Sequence, residues 1–161
     1  MAANAVTEAG IANLLELAVI TPKRLTELSA SLDEKQCSQP LQPDEWSILQ
    51  ILNHLRACQE VWTHSINGML VFDTPSLKEI HPRQWIKQTS PYTSLSFADG
   101  LRQFTLRREA LLITLNSLSL ADWQRGARID RQVRTVYTHV QRLVNHEQAH
   151  CDQIEAALTS K

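Results

Sequence analysis

Four stretches of this chain place apolar residues three and four positions apart, and no stretch alternates apolar and polar residues long enough to read as a strand. Such a pattern restricts the chain to helices that each bury one stripe. The first stretch covers residues 7–32, with Ile11, Leu14, Leu15, Ala18, Leu25, Leu28 and Leu32 on its apolar side and a kink predicted at Thr21-Pro22. Pro40 and Pro43 stop any helix in the polar loop beyond it. The second helix begins near Ser47, which can form a capping box with Gln50, each side chain satisfying the other residue's backbone amide. Ile48, Ile51, Leu55, Cys58, Trp62, Ile66 and Met69 then mark its stripe. Residues 71–94 are irregular and interrupted by Pro75, Pro82 and Pro91, with one short helix expected over 84–87. Long connections of this kind in compact domains serve as lids or crossovers. A third helix is expected over 97–118, then a loop containing Gly126, then a fourth helix over 135–158.

Four amphipathic helices in this length predict an all-α fold, a four-helix bundle with a long connection between helices two and three. The segment between helices three and four reads as a short loop, which would make them antiparallel neighbours. A chain of 161 residues suffices for one sizeable core, so residues 1–161 are expected to form a single domain. A formal charge of −1 leaves no basic excess for phosphate contacts, so nucleic acid is not an expected partner. The apolar runs are too short and interrupted to span a bilayer. The first twenty residues lack the basic cluster of a signal peptide, and Cys37, Cys58 and Cys151 are odd in number with no CxxC pair. Both features predict a cytoplasmic protein.

Within the apolar stripes stand three histidines. His146 and His150 lie one turn apart on the fourth helix, on the same side, and His54 stands at the border of the second helix's stripe. Together they can hold one divalent metal ion, and three imidazoles with an open fourth position is the ligand count of a catalytic ion rather than a structural one. His139, two turns before His146, can line the approach or substitute as a ligand, although two turns is roughly 10 Å, too far to share an ion with His150. His64 and His81 read as surface or loop residues. Residues 146–150 also spell HExxH, the zinc-peptidase pair with its general base, but the residues beyond His150 include Asp152 and Glu155 and not the HxxGxxH extension. Glu147 falls near the centre of the fourth stripe. Two roles suit it there: an ion pair with an inward arginine, Arg108 of the third helix being the candidate, or a catalytic role as general base beside the metal. Cys58 and Cys151 adjoin the histidines and read first as small apolar fillers. Trp85, in the long connection, is a candidate cover for the metal groove.

At these residues the chain resembles the DinB-like superfamily of metal-binding four-helix bundles, also called DinB/YfiT. Trp46-Ser47 followed by His54-Leu55 is similar to that family's WS…HL signature; His146, His150 and Gln153-Ile154 resemble its HxxxH..QI ending. Phe104 with Arg108, and Pro22 in the first helix, resemble further features. The resemblance implies zinc or nickel held by His54, His146 and His150, a homodimer, and a small-molecule substrate that includes a low-molecular-weight thiol in the S-transferase members. Many members carry an acidic HLADxE stretch, where this chain has His54-Leu55-Arg56-Ala57-Cys58-Gln59. The resemblance leaves two functions open: a metal-dependent enzyme of thiol S-transferase or hydrolase type, or a non-catalytic, stress-related metal-binding or interaction module.

Overall fold

The computed structural model describes residues 6–89 and 94–160. Thr7, in extended conformation, accepts the Gly10 amide on its hydroxyl at 3.0 Å and so starts α1, Glu8–Ser29. This helix continues unbroken through Pro22. Proline has no N–H for the carbonyl four residues earlier, that of Ala18. Arg108 donates to that carbonyl at 3.0 Å instead, which is why the helix does not end there.

Where a polar loop is predicted, Asp33 and Gln36 cap a short α2, Glu34–Ser38. The Ser47–Gln50 capping box is present and opens α3, Ile48–Val71. The long connection contains α4, Pro82–Thr89, longer at both ends than the predicted 84–87. Pro91 lies outside the described residues. α5 covers Phe97–Asn116, a short α6 Leu120–Gln124, and α7 Val136–Thr159.

Two expectations are corrected by the fold. First, the segment around Gly126 is not a loop. Strands β2, Gly126–Ile129, and β3, Gln132–Thr135, form an antiparallel hairpin, and β1, Ser76–Leu77, pairs in parallel with β2. Asp130 opens the two-residue turn with φ 50°, the left-handed conformation that primed hairpin turns need and aspartate tolerates. A Cβ on Gly126 would come within 2.7 Å of the Arg134 carbonyl, so the strands close only over glycine. These strands are too short to carry an alternating pattern; pairing makes them, and pairing is not local.

Second, α5 and α7 are not neighbours. α1 packs against α7 and α5, and α3 packs against the same two, so α1 lies diagonally from α3 and α5 from α7. The hairpin and α6 carry the chain across the end of the bundle, a path a short loop could not take. α1 and α7 run in one direction and α3 and α5 in the other, as their shared core residues require. Among the described residues no helix is long and apolar enough to cross a membrane.

The core has two halves. One gathers Leu14, Trp62, Leu115 and Val140; the other gathers Leu25, Ile51, Phe104 and Ile154. Between them lies a polar layer centred on Arg108, which is 1% exposed. Its guanidinium donates to Glu147 of α7 at 2.9 and 2.5 Å, to Gln59 of α3 at 3.0 and 2.7 Å, and to the Ala18 carbonyl of α1. One side chain of α5 thus ties all four long helices, including the α5–α7 diagonal.

Candidate metal centre

His54 and Cys58 project from α3 one turn apart, and His146 and His150 project from the antiparallel α7 one turn apart. The seam between these helices brings all three imidazoles together. Nε2 of His54 lies 2.9 Å from Nε2 of His146. The His150 ring centroid is 4.6 Å from that of His146 and 5.2 Å from that of His54. Gln153, three residues beyond His150, offers its amide oxygen to Nδ1 of that ring at 3.0 Å. The contact favours a proton on Nδ1 and leaves the Nε2 lone pair for a metal, the usual way an outer partner fixes a ligand's tautomer.

Cys58 enters the cluster as well. Its Sγ lies 3.5 Å from Nε2 of His54, and donor atoms of His54, Cys58 and His146 all fall within 4.8 Å of one another. The filler role read from sequence is therefore incomplete for Cys58. It holds for Cys151, which is buried among Leu25, Phe104 and Ile154. The donor atoms that lie together are those of His54, His146 and Cys58, while His150 joins the cluster by the approach of its ring.

The electrostatics keep these imidazoles neutral at pH 7. Burial, reinforced by the neighbouring imidazoles and by Arg83, pushes His54 down to about 4. Burial, His150, Arg142 and Arg83 push His146 down to about 4. Burial lowers His150, the Gln153 contact opposes it, and Arg83 adds to the lowering. Neutral imidazole is the form that binds a metal. Burial, with Glu147 adding to it, pushes the Cys58 thiol up to about 12.

Two tryptophans line the cluster. Trp46 meets His54 edge-on at 5.3 Å and lies nearly parallel to His150 at 6.4 Å, while Trp62 meets His146 at 5.4 Å. An arginine stacks on each: Arg83 over Trp46 at 4.9 Å and Arg142 over Trp62 at 4.5 Å. Arg142 is paired with Glu79 at 2.6 Å. Trp46 was legible beside the Ser47 cap. Arg83 carries no signal in the sequence, because helical periodicity does not fix the path of the connection that holds it. Trp85, a candidate cover, is half-buried against the half of the core that contains Cys58 and Trp62.

The remaining candidates stand apart. Glu147 is 0% exposed and bound by both terminal nitrogens of Arg108, the ion pair weighed from sequence. Its carboxylate is committed there, which removes the general base that a peptidase reading of HExxH needs. Asp152 and Glu155 both accept from Arg24 of α1 at 2.8 Å. His139 is buried against Trp62, and His64 and His81 are exposed.

The DinB superfamily profile matches residues 18–154. In structure the chain is similar to YfiT from Bacillus subtilis, described as a probable metal-dependent hydrolase with an unusual four-helix bundle topology. That likeness has a TM-score of 0.85 at 14% identity and covers 98% of this chain and 90% of that one. Comparison with curated proteins gave no match. The family profile covers most of the chain, including the helix-spanning arginine and all three histidines, and on that ground the chain belongs to the DinB superfamily.

Proposed function

We propose that this protein is a metal-dependent enzyme of hydrolase or thiol-transfer type, with one divalent ion, zinc or nickel, held by His54, His146 and His150. The observation that carries the reading is the convergence of three uncharged imidazoles at the α3–α7 seam, one of them oriented by Gln153. Three neutral nitrogen donors leave a position for water or substrate. An ion so held supplies a Lewis acid and lowers the pKa of a water or thiol that it binds. The chain's own residues do the rest. Burial and Arg83 keep the imidazoles deprotonated, Trp46 and Trp62 pack against the His54 and His146 rings, and Glu147 serves Arg108 rather than proton transfer. The description of YfiT as a probable metal-dependent hydrolase supports the hydrolase type. A low-molecular-weight thiol is the co-substrate of the transferase type.

The nearness of Cys58 sulfur to His54 favours a second reading, a closed site on a non-catalytic module. We prefer the open site because His150 carries an outer partner in Gln153 that orients it as a third imidazole donor.

Protein purified without a His tag or added metal should carry about one ion per chain. His54→Ala and His150→Ala should each lose it, together with a metal-dependent stabilisation of about 2.7 kcal/mol when free metal is a hundredfold above Kd. No metal in the wild type, even after reconstitution with zinc, nickel and manganese, would sink the reading. On the cobalt-loaded protein, a sulfur-to-metal charge-transfer band that vanishes in Cys58→Ala would replace the open site by the closed one.

A further inference from the structure

The proposed centre is unusually short of negative charge. Three neutral imidazoles add none to a divalent ion, and the charged side chains that act on their rings are the arginines Arg83 and Arg142. Glu79 neutralises Arg142 at 2.6 Å. Arg83 is exposed on the first turn of α4 and has no ion-pair partner among the described residues. Its guanidinium carbon sits over the Trp46 ring, 4.9 Å from the centroid, and Trp46 in turn touches the His54 and His150 rings. A guanidinium stacked on an aromatic face keeps its N–H edge free, and that edge matches a carboxylate bidentately.

Resting on the metal-centre reading, we propose that Arg83 is a substrate-binding residue and that the centre takes a small molecule carrying a carboxylate. The carboxylate docks on the Arg83 edge while the reacting end reaches the histidine cluster. Two ring contacts, Arg83 to Trp46 and Trp46 to His54, separate the two points, so a molecule only a few bonds long spans both. Trp46 has two tasks in this arrangement. It holds the guanidinium in one plane, and it forms the wall along which the ligand lies. The stretch after the helix-two histidine, His54-Leu55-Arg56-Ala57-Cys58-Gln59, carries no carboxylate that would occupy Arg83 from within.

The test uses two thiols that differ in one group, 3-mercaptopropionate with a carboxylate and 2-mercaptoethanol with a hydroxyl. Each is titrated into cobalt-loaded protein, reading the near-ultraviolet band that grows as added sulfur joins the ion. The wild type should bind the carboxylate thiol at least about tenfold more tightly, the factor expected of a charge-assisted contact. In Arg83→Met, which keeps the stem over Trp46 and loses the donors, the two affinities should converge; Arg83→Lys should fall between. Equal affinities in the wild type, or a preference that survives Arg83→Met, overturn the inference and leave the metal reading standing. A protein that takes up no cobalt overturns the metal reading. The inference is then decided on metal-free protein by the indole N–H resonance of Trp46. A shift with propionate, absent with 1-propanol and absent in Arg83→Met, supports it, and no shift overturns it.

Discussion

Glu147→Gln should destabilise the protein by roughly 3–5 kcal/mol, the range for breaking a buried ion pair from one side. The substitution barely alters shape but leaves the Arg108 charge without its counterion in a layer where that guanidinium is 1% exposed. Replacing both partners by apolar groups of similar size, Arg108→Met with Glu147→Leu, should cost less than the single change, because no charge is left stranded. It should not restore wild-type stability. The Ala18 carbonyl and the Gln59 amide oxygen would lose the Arg108 donors, at about 1–3 kcal/mol for each buried group left unsatisfied. Urea unfolding of the three proteins separates these cases. A loss below about 1 kcal/mol in Glu147→Gln would mean that the layer relaxes or admits water.

Metal-free protein should lose about 3 kcal/mol of stability between pH 6.5 and pH 4 through His139 alone. This ring is 1% exposed, and neither of its nitrogens has a hydrogen-bond partner among the described residues. Burial, then the charges of Arg142 and Arg134, push it down from 6.5 to about 4, with Glu79 opposing. In the unfolded chain the imidazole takes its proton near pH 6.5; in the folded protein it waits until about 4. Across that window the unfolded state binds more protons, so stability falls as pH falls, by about 1.4 kcal/mol per pH unit. Above the window this group contributes no pH dependence, and below it the loss levels off. His139→Phe keeps an aromatic ring in the space and removes the titration. Urea unfolding at pH 7 and pH 4 should therefore show the wild type losing about 3 kcal/mol more than the variant. Equal losses would mean that the His139 ring accepts its proton inside the fold.

The helices were legible because their signals are local. Thr7, Ser47 and Ser96 cap the elements they precede, and the stripes of α3 and α7 repeat over 24 residues each. The histidines were legible for the same reason, since spacing of four residues on one helix fixes a shared side. The hidden features depend on contacts between distant segments. β1 exists only because Ser76 and Leu77 meet Arg128 and Ile129, and the diagonal placement of α5 and α7 depends on that hairpin. Arg83 reaches the cluster through a connection whose course is set by β1 and by Arg125, which donates to the Met69 and Phe72 carbonyls. The Arg108–Glu147 pair was foreseen because an acid in the middle of an apolar stripe demands a cation. That the same cation also answers the proline of α1 was not foreseen, since nothing local connects Ala18 to Arg108.

The bond from Arg108 to the Ala18 carbonyl has an evolutionary corollary. A relative that loses the proline of its first helix regains the backbone donor for that carbonyl and no longer depends on the arginine for it. A relative that keeps the proline but loses the arginine carries an orphaned acceptor in its core. The two positions belong to different helices and are far apart in the chain, yet the proline should be found only with the arginine, while the arginine, which also holds Glu147, can outlast the proline.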